Sequence, residues 1–411
     1  MNETRHTDFD VLIVGAGMVG AAMALSLAGS AWRVGLLDRG SPQASRPQIG
    51  ADRFDARVSA LTAASGDLLK RLQVWPRIAQ QRCCPYQHMR VWEEDGTGSI
   101  HFNAADMDAT ELGTIVENSV VMAAMWEKLG EMSNLSVLSE QELTGLELPE
   151  GNSTAPVVAE TASGQILSAS LVIAADGANS PTREMAKLAT RDWDYGHHAI
   201  VTTARTEAPH QHTAWQRFLS SGPLAFLPLL PAAGSNEQHY CSIVWSVDSG
   251  RAEQLMDLDD EAFARRLGDA FEFRLGEIEH CDRRFSFKLR QCHGKEYVKP
   301  GLALIGDAAH SIHPLAGQGV NLGLLDVVAL NDQLSQARGK SRRPGDSVLL
   351  RRYQRDRIGH NLSMMWAMEG FKRTFESQSL PLRWLRNAGL DRVDRTGVFK
   401  NLLARKAMGL S

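Results

Sequence analysis

Three stretches of this sequence carry residue types at spacings that can hold a ligand. The first, FDVLIVGAGMVGAAMALSLAGSAWRVGLLDR (residues 9–39), places Gly15, Gly17 and Gly20 in a G-x-G-x-x-G pattern and ends on Asp38. Gly15 permits a tight turn, Gly17 lets a pyrophosphate approach the backbone, and Gly20 lets helix and strand pack closely. A carboxylate 18 residues past Gly20, at the end of the following strand, can take ribose hydroxyls. The site therefore reads as one for ADP, as part of FAD or NAD, and Asp38 would repel a 2′-phosphate. The second stretch, LSASLVIAADGANSPTR, ends a run of apolar residues on Asp176–Gly177, with Ser180 and Arg183 behind. Taken alone it is an ordinary strand-to-helix turn. The third, LALIGDAAHSIHPLAGQGVNLG, sets Gly306–Asp307 at a strand end, then Pro314, then Gly317 and Gly319 before Val320 and Asn321. His310 and His313 lie three apart, but no further His, Cys or Glu stands at a metal-site spacing, so no metal is expected. The glycines strip a loop that feeds a helix N-terminus, a place that stabilises negative charge by roughly 0.3–1 kcal/mol.

The elements that position these residues follow from local pattern. Strands are expected at Asp10–Val14, Arg33–Asp38, Leu171–Ala175 and Leu302–Ile305, and a helix over Met18–Gly29. Acids at its start and helical apolar spacing predict a further helix over Asp259–Phe271. The segments YQHMRVWEEDGTGSIHF and roughly 185–284 alternate polar and apolar residues, as antiparallel strands do. The expected fold class is α/β: a Rossmann-like dinucleotide domain in three pieces (1–75, 104–184 and 285–340), an inserted antiparallel-sheet substrate domain (76–103 and 185–284) and a helical C-terminal region (341–411).

Composition narrows the class. The chain has 411 residues, a net charge of −4 and 43% hydrophobic residues, ordinary values for a globular protein and no case for a nucleic-acid partner. From Arg338 to Ser411 there are 17 Lys+Arg against 6 Asp+Glu, which leaves −15 for residues 1–337. A basic tail of this kind suits an anionic membrane surface or simply a solvated helical face. Five cysteines without a paired spacing fit a reduced cytoplasmic protein. Val11–Trp32 is uncharged and long enough to span a membrane, but its glycines and acidic flank favour the nucleotide turn, so no spanning segment is expected.

Together, the glycine fingerprint, the D-G-x-x-S-x-x-R segment and the G-D-A-A-H…P-x-x-G-x-G segment resemble the aromatic-hydroxylase flavoproteins of the para-hydroxybenzoate hydroxylase fold. HPLAGQGVNLGLLD (His313–Asp326) is similar to the signature of ubiquinone-biosynthesis hydroxylases. RVSAL, IVENSV, WDYGHHA and the terminal AMGL resemble the 2-polyprenylphenol hydroxylase (VisC-type) branch. The resemblance implies an FAD site in which Gly15, Gly17 and Gly20 hold the pyrophosphate and Asp38, where relatives more often carry Glu, the adenosine ribose. Arg57 would lie near the phosphates, Asp176–Gly177 by the cofactor and the path of the reduced nicotinamide, and Gly306–Asp307 at the ribityl chain. Pro314, Gly317, Gly319, Val320 and Asn321 would border the isoalloxazine ring. It implies hydroxylation of a polyprenylated phenol through a flavin C4a-hydroperoxide, with NAD(P)H and O2, by a protein in a ubiquinone-biosynthesis assembly or resting on the membrane. A sibling hydroxylase acting at another ring carbon stays open. So does a non-catalytic flavin-binding scaffold, whereas a simple nicotinamide dehydrogenase needs neither of the later two segments. Tyr195, His197 and His198 are positions for a phenol-deprotonating base, against the commoner role of a packing histidine, and no catalytic residue is assigned.

Overall fold

The computed structural model describes residues 7–41, 53–94, 99–151, 153–311 and 319–376, the last twelve and Tyr195 by backbone alone. In chain order the N-terminal part comprises β1 (Phe9–Val14), α1 (Met18–Ala28), β2 (Val34–Leu37), β3 (Val58–Leu61), α2 (Ala63–Arg71) and α3 (Trp75–Gln81). Then follow β4 (Cys84–Tyr86), β5 (His88–Glu93), β6 (Ser99–Asn103), β7 (Gly113–Glu117), α4 (Asn118–Gly130), β8 (Leu135–Leu138), β9 (Leu143–Glu147) and β10 (Val157–Thr161). The middle holds β11 (Ile166–Ala174), α5 (Pro181–Met185), β12 (Thr190–Thr206), β13 (Thr213–Leu219), β14 (Gly222–Leu229), β15 (Tyr240–Asp248), α6 (Ser249–Asp257) and α7 (Asp260–Ala270). Last come β16 (Ile278–Cys281), β17 (Phe285–Gly294), β18 (Val298–Lys299), β19 (Leu302–Leu304), β20 (His310–Ser311), α8 (Gly319–Gly339) and α9 (Ser347–Glu376).

The first sheet runs β18-β19-β11-β1-β2-β8, with β10 and β9 as an antiparallel extension from β11. β19, β11, β1 and β2 are mutually parallel neighbours. Strands of this kind are covered on both faces, which explains why β1 and β11 read as continuous apolar runs. Val11, Leu12 and Ile13 are wholly buried, each contributing on the order of 1.5–3 kcal/mol of transfer free energy. Helices α1, α4 and α8 pack there. The uncharged Val11–Trp32 segment is thus strand, turn and helix, and no helix among the described residues is long and apolar enough to cross a membrane.

The second sheet runs β20-β17-β12-β15-β14-β13-β5-β6 and is antiparallel except for the β13–β5 pair. Helices α6 and α7 cover one face, where Trp245, Phe263 and Phe271 form a core. Asp259 accepts a hydrogen bond from the Ala262 amide and so caps α7, and the acids read from the sequence perform that role. A small sheet, β3-β7-β4, lies against the opposite face through Ala60, Cys84, Ile115, Ala225 and Leu227. The sheets divide the chain differently from the sequence reading at several points: β20, inside the expected dinucleotide piece, pairs with β17 of the second sheet, and β4, inside the expected substrate piece, pairs with β7 of the small sheet. β17 pairs along β12 within the second sheet, ten residues past the expected division at 284. Its Phe285, Phe287 and Leu289 alternate with polar residues, a signal that the boundary overlooked.

Candidate active site

The three ligand-shaped turns leave the carboxyl ends of adjacent parallel strands. Gly15 follows β1, Asp176 follows β11 and Gly306 follows β19, while Asp38 follows β2 on the other side. This is the edge of an open α/β sheet at which ligands bind. The strand ladder continues into the turns: the Gly15 amide donates to the Leu37 carbonyl, Ala175 to Val14 and Ile305 to Ala174.

Gly15 has a φ of +99°, and a Cβ there would stand 2.5 Å from the Ala175 carbonyl oxygen. A Cβ on Gly20 would stand 1.8 Å from the Gly15 oxygen, so helix and turn touch only because both residues are glycine. Gly17 is different: a Cβ would meet nothing within 4 Å, and no side chain caps α1. Open space before uncapped first-turn amides fits a pyrophosphate. Asp38 accepts the Ala16 amide at 2.5 Å and the Gly40 amide at 2.6 Å, bracing the glycine turn from the neighbouring strand.

In the second turn, Asp176 accepts the Ser180 hydroxyl at 2.5 Å and the Thr182 amide at 3.0 Å, while Gly177 adopts φ +87°. Arg183, quoted in the sequence motif but given no role there, is buried and donates to the carbonyls of Ala308 and Ala178. It therefore ties the second turn to the third. Asp307 is exposed to solvent, yet crowding by protein desolvates its carboxyl and pushes it above the usual range, opposed by His310 and Arg57. Arg57 is exposed beside it, with its guanidinium 5.8 Å from the Phe287 ring centroid.

Beneath this turn lies a network that no local motif announces. Asp326, fully buried on α8, accepts the Gly306 amide at 2.9 Å and His310 Nε2 at 2.6 Å. Its other oxygen accepts Arg357 Nε at 2.6 Å, and Arg357 also donates to Asn361. Burial would raise the Asp326 carboxyl, but His310 and Arg357 outweigh it and hold the group below the usual range. The signal was available: Asp326 is the one charged residue in the otherwise uncharged stretch 319–331, and a buried charge requires partners.

Gly319 and half-buried Val320 open α8. The Asn321 side chain is engaged by protein: it accepts from the Thr62 amide and the Ser65 hydroxyl and donates to the Ala60 carbonyl at 2.8 Å. It pins the start of α8 to β3 and α2. Pro314 and Gly317 lie outside the described residues. No group of three His, Cys, Asp or Glu side chains able to hold a metal gathers among the described residues.

Next to Ala60, a pocket opens between the small sheet and the second sheet. Ala60, Tyr86, Met89, Ile115, Gln216 and Leu227 line it. Of the positions considered for a base, His198 is in contact with the Ser286 hydroxyl and neither His197 nor His198 lines this pocket. The Tyr195 side chain lies outside the described residues.

The family pattern described as an FAD binding domain matches residues 8–365. The chain belongs to the family of FAD-dependent aromatic monooxygenases. It is 36% identical over 401 residues to the 3-demethoxyubiquinol 3-hydroxylase of Escherichia coli K12, covering 98% of both chains. It is 35% identical to the ubiquinone biosynthesis monooxygenase COQ6, mitochondrial, of Xenopus tropicalis, covering 95% of this chain and 91% of that one. Among solved structures, Pseudomonas aeruginosa PqsL in complex with 2-aminobenzoylacetate shares the fold at a TM-score of 0.76 and 22% identity, over 93% of this chain and 99% of that one. In this FAD-dependent monooxygenase the open Gly17 turn and the uncapped α1 suit the dinucleotide, which supplies the redox chemistry when bound.

Proposed function

We propose that this monooxygenase hydroxylates the ring of a polyprenylated phenol or quinol in ubiquinone biosynthesis, using O2 and NAD(P)H. One observation carries the reading. The cavity beside Ala60, a water-sized gap between the small sheet and the second sheet, lies one hydrogen bond from Asn321 at the head of α8, where the glycine-rich segment ends, and a substrate ring would have to open it. A ring seated there would lie between the small sheet and the second sheet, next to the Asn321 clip on α8. The names of the relatives, both ubiquinone-pathway hydroxylases, support the substrate class.

The protein's part is to bind, orient and dry the ring. Met89, Ile115 and Leu227 exclude water, and the Asn321 clip keeps Ala60 and the start of α8 in fixed relation. Arg183 and Asp326 hold the turns on which the cofactor would rest. The sequence favours 2-polyprenylphenol as substrate. The name of the Escherichia coli relative favours a later ring carbon instead, and that is the second reading. A peripheral contact of the basic C-terminal segment with anionic lipid would bring the enzyme to so apolar a substrate.

The test is an absorbance spectrum of the purified protein, then product analysis with 2-polyprenylphenol and with a methoxylated prenyl quinol, each with NAD(P)H and O2. Flavin bands and a hydroxylated ring are expected, and the preferred substrate decides between the two readings. A protein that cannot be loaded with FAD, or that oxidises NAD(P)H without ring product, defeats the proposal.

A further inference from the structure

Arg57 brings an open charge to the cofactor edge. Its guanidinium has no hydrogen bond and no ion pair among the described residues; it lies over the Phe287 ring of the second sheet. It is also close enough to Asp307, on the turn after β19, to oppose the rise of that carboxyl. A guanidinium whose donors are left open is suited to an anion. A long exposed side chain loses part of such a contact to ordering, so a backbone fixed beforehand strengthens it.

The backbone of Arg57 is fixed by contacts that begin at a buried ion pair. Arg82, just past α3, and Glu117, at the end of β7, are 3% and 2% exposed. Arg82 Nη2 donates to Glu117 Oε1 at 2.8 Å and to the Arg53 carbonyl at 2.7 Å, and the guanidinium lies 4.6 Å from the Phe54 ring centroid. Glu117 Oε1 also accepts the Asp55 amide at 2.6 Å. Asp55 in turn accepts the Arg57 amide on one oxygen at 3.2 Å and the Ser119 amide on the other at 3.1 Å. It thereby caps α4, whose own N-cap residue, Glu117, supplies no side-chain cap. The Arg57 carbonyl accepts the Asn118 amide at 2.9 Å, so both backbone groups of Arg57 are engaged. A buried ion pair adds little net stability over apolar residues of the same volume. The geometry that this one fixes is the better account of it.

We propose that Arg82, Glu117 and Asp55 are positioning residues for Arg57: together they fix residues 53–57 so that the Arg57 guanidinium meets an anionic part of the flavin cofactor. That anion is the diphosphate or the charge of the reduced ring, and the two are separated by the test. The inference needs FAD alone and stands whichever phenol or quinol is hydroxylated.

The test is equilibrium dialysis of the full-length holoenzyme at low and high salt, with the midpoint potential of the bound flavin measured beside it. Arg57→Ala is expected to weaken FAD binding about tenfold at low salt, and less at high salt. Asp55→Ala and Arg82→Lys are each expected to weaken it roughly three- to tenfold with the same salt response. Arg82→Lys keeps the buried charges balanced but cannot span Glu117 and the Arg53 carbonyl as the planar guanidinium does. Asp55 is only half-buried, and melting curves serve as the folding control for all three. Adding Asp55→Ala or Arg82→Lys to Arg57→Ala is expected to cost no further affinity, because the contact they serve is already gone. Where the anion is the reduced ring, oxidised FAD binds all variants alike, and the midpoint potential falls in each of them, again without addition in the double variants. Losses that add in the double variants, or that follow neither salt nor potential, would reduce the segment to a structural support and overturn the inference. Unchanged affinity and potential in Arg57→Ala, or in both Asp55→Ala and Arg82→Lys, would overturn it as well.

Discussion

His210 shows how much one residue can reveal once its neighbours are known. It is wholly buried; its Nδ1 accepts the His212 amide at 3.1 Å, and its Nε2 is 3.1 Å from the Leu229 carbonyl oxygen. Nδ1 cannot both accept and carry a proton, so the ring is neutral with its hydrogen on Nε2. Burial, the largest cause, lowers its pKa to about 4 from an ordinary 6.5. Between those values the unfolded chain takes a proton that the folded chain refuses, so stability falls as pH drops from about 6.5 towards 4. The predicted loss by pH 5 is roughly 2 kcal/mol relative to pH 7, at about 1.4 kcal/mol per pH unit. Urea midpoints at both pH values should show a shallower dependence in His210→Gln than in the unmodified protein, and identical dependences would refute the assignment. None of this was legible beforehand, because the partners of His210 are a backbone amide and a carbonyl from a distant strand. Gly15 and Gly20 were legible, since their demand on backbone geometry is local and the G-x-G-x-x-G spacing records it. Asp38 was half legible: its place at the strand end was readable, its grip on the Ala16 and Gly40 amides was not.

At the scale of elements, α8 is located by side chains and not by its ends. Asn321 joins its first turn to β3 and α2, and Asp326, one and a half turns later, joins it to the Gly306 turn and to α9. The strand–turn–helix order around Gly306 could be read from apolar runs and glycines. The partner on α9 could not, because Arg357 is one of several basic residues there, and only its spacing with buried Leu350, Tyr353 and Asn361 marks an inward face. Removing one member of a buried ion pair strands the other, typically at 3–5 kcal/mol. Asp326→Asn and Arg357→Met should each fall in that range and lose flavin on dialysis, since the Gly306–Asp307 turn rests on Asp326. The double variant Asp326→Leu/Arg357→Met should be less destabilised than the sum of Asp326→Leu and Arg357→Met alone by more than about 1 kcal/mol. Denaturant curves and bound flavin measure both, and strict additivity would show that the pair does not act as a unit.

The molecule as a whole separates its charge: residues 1–337 carry −15 and residues 338–411 carry +11. The three sheets lie in the first part, and of the basic residues in the second, Arg357 serves as the buried partner of Asp326, while those beyond residue 376 follow the last described helix. An anionic lipid surface contributes about 1 kcal/mol for each basic residue close to it, and that attraction decays over roughly 8–10 Å at physiological salt. A protein with this distribution should float with vesicles containing anionic lipid at low salt and separate from them at high salt, while neutral vesicles leave it behind. Replacing Arg383, Arg386, Arg405 and Lys406 with Gln should reduce the low-salt lift without altering bound flavin, because these residues follow the last described helix. Lift from neutral vesicles, unchanged by salt, would point to apolar insertion through Trp and Phe side chains of the same region. No lift from any vesicle would remove the membrane from the account of how this enzyme would meet the prenylated ring proposed for it, and a soluble carrier or partner would have to deliver it.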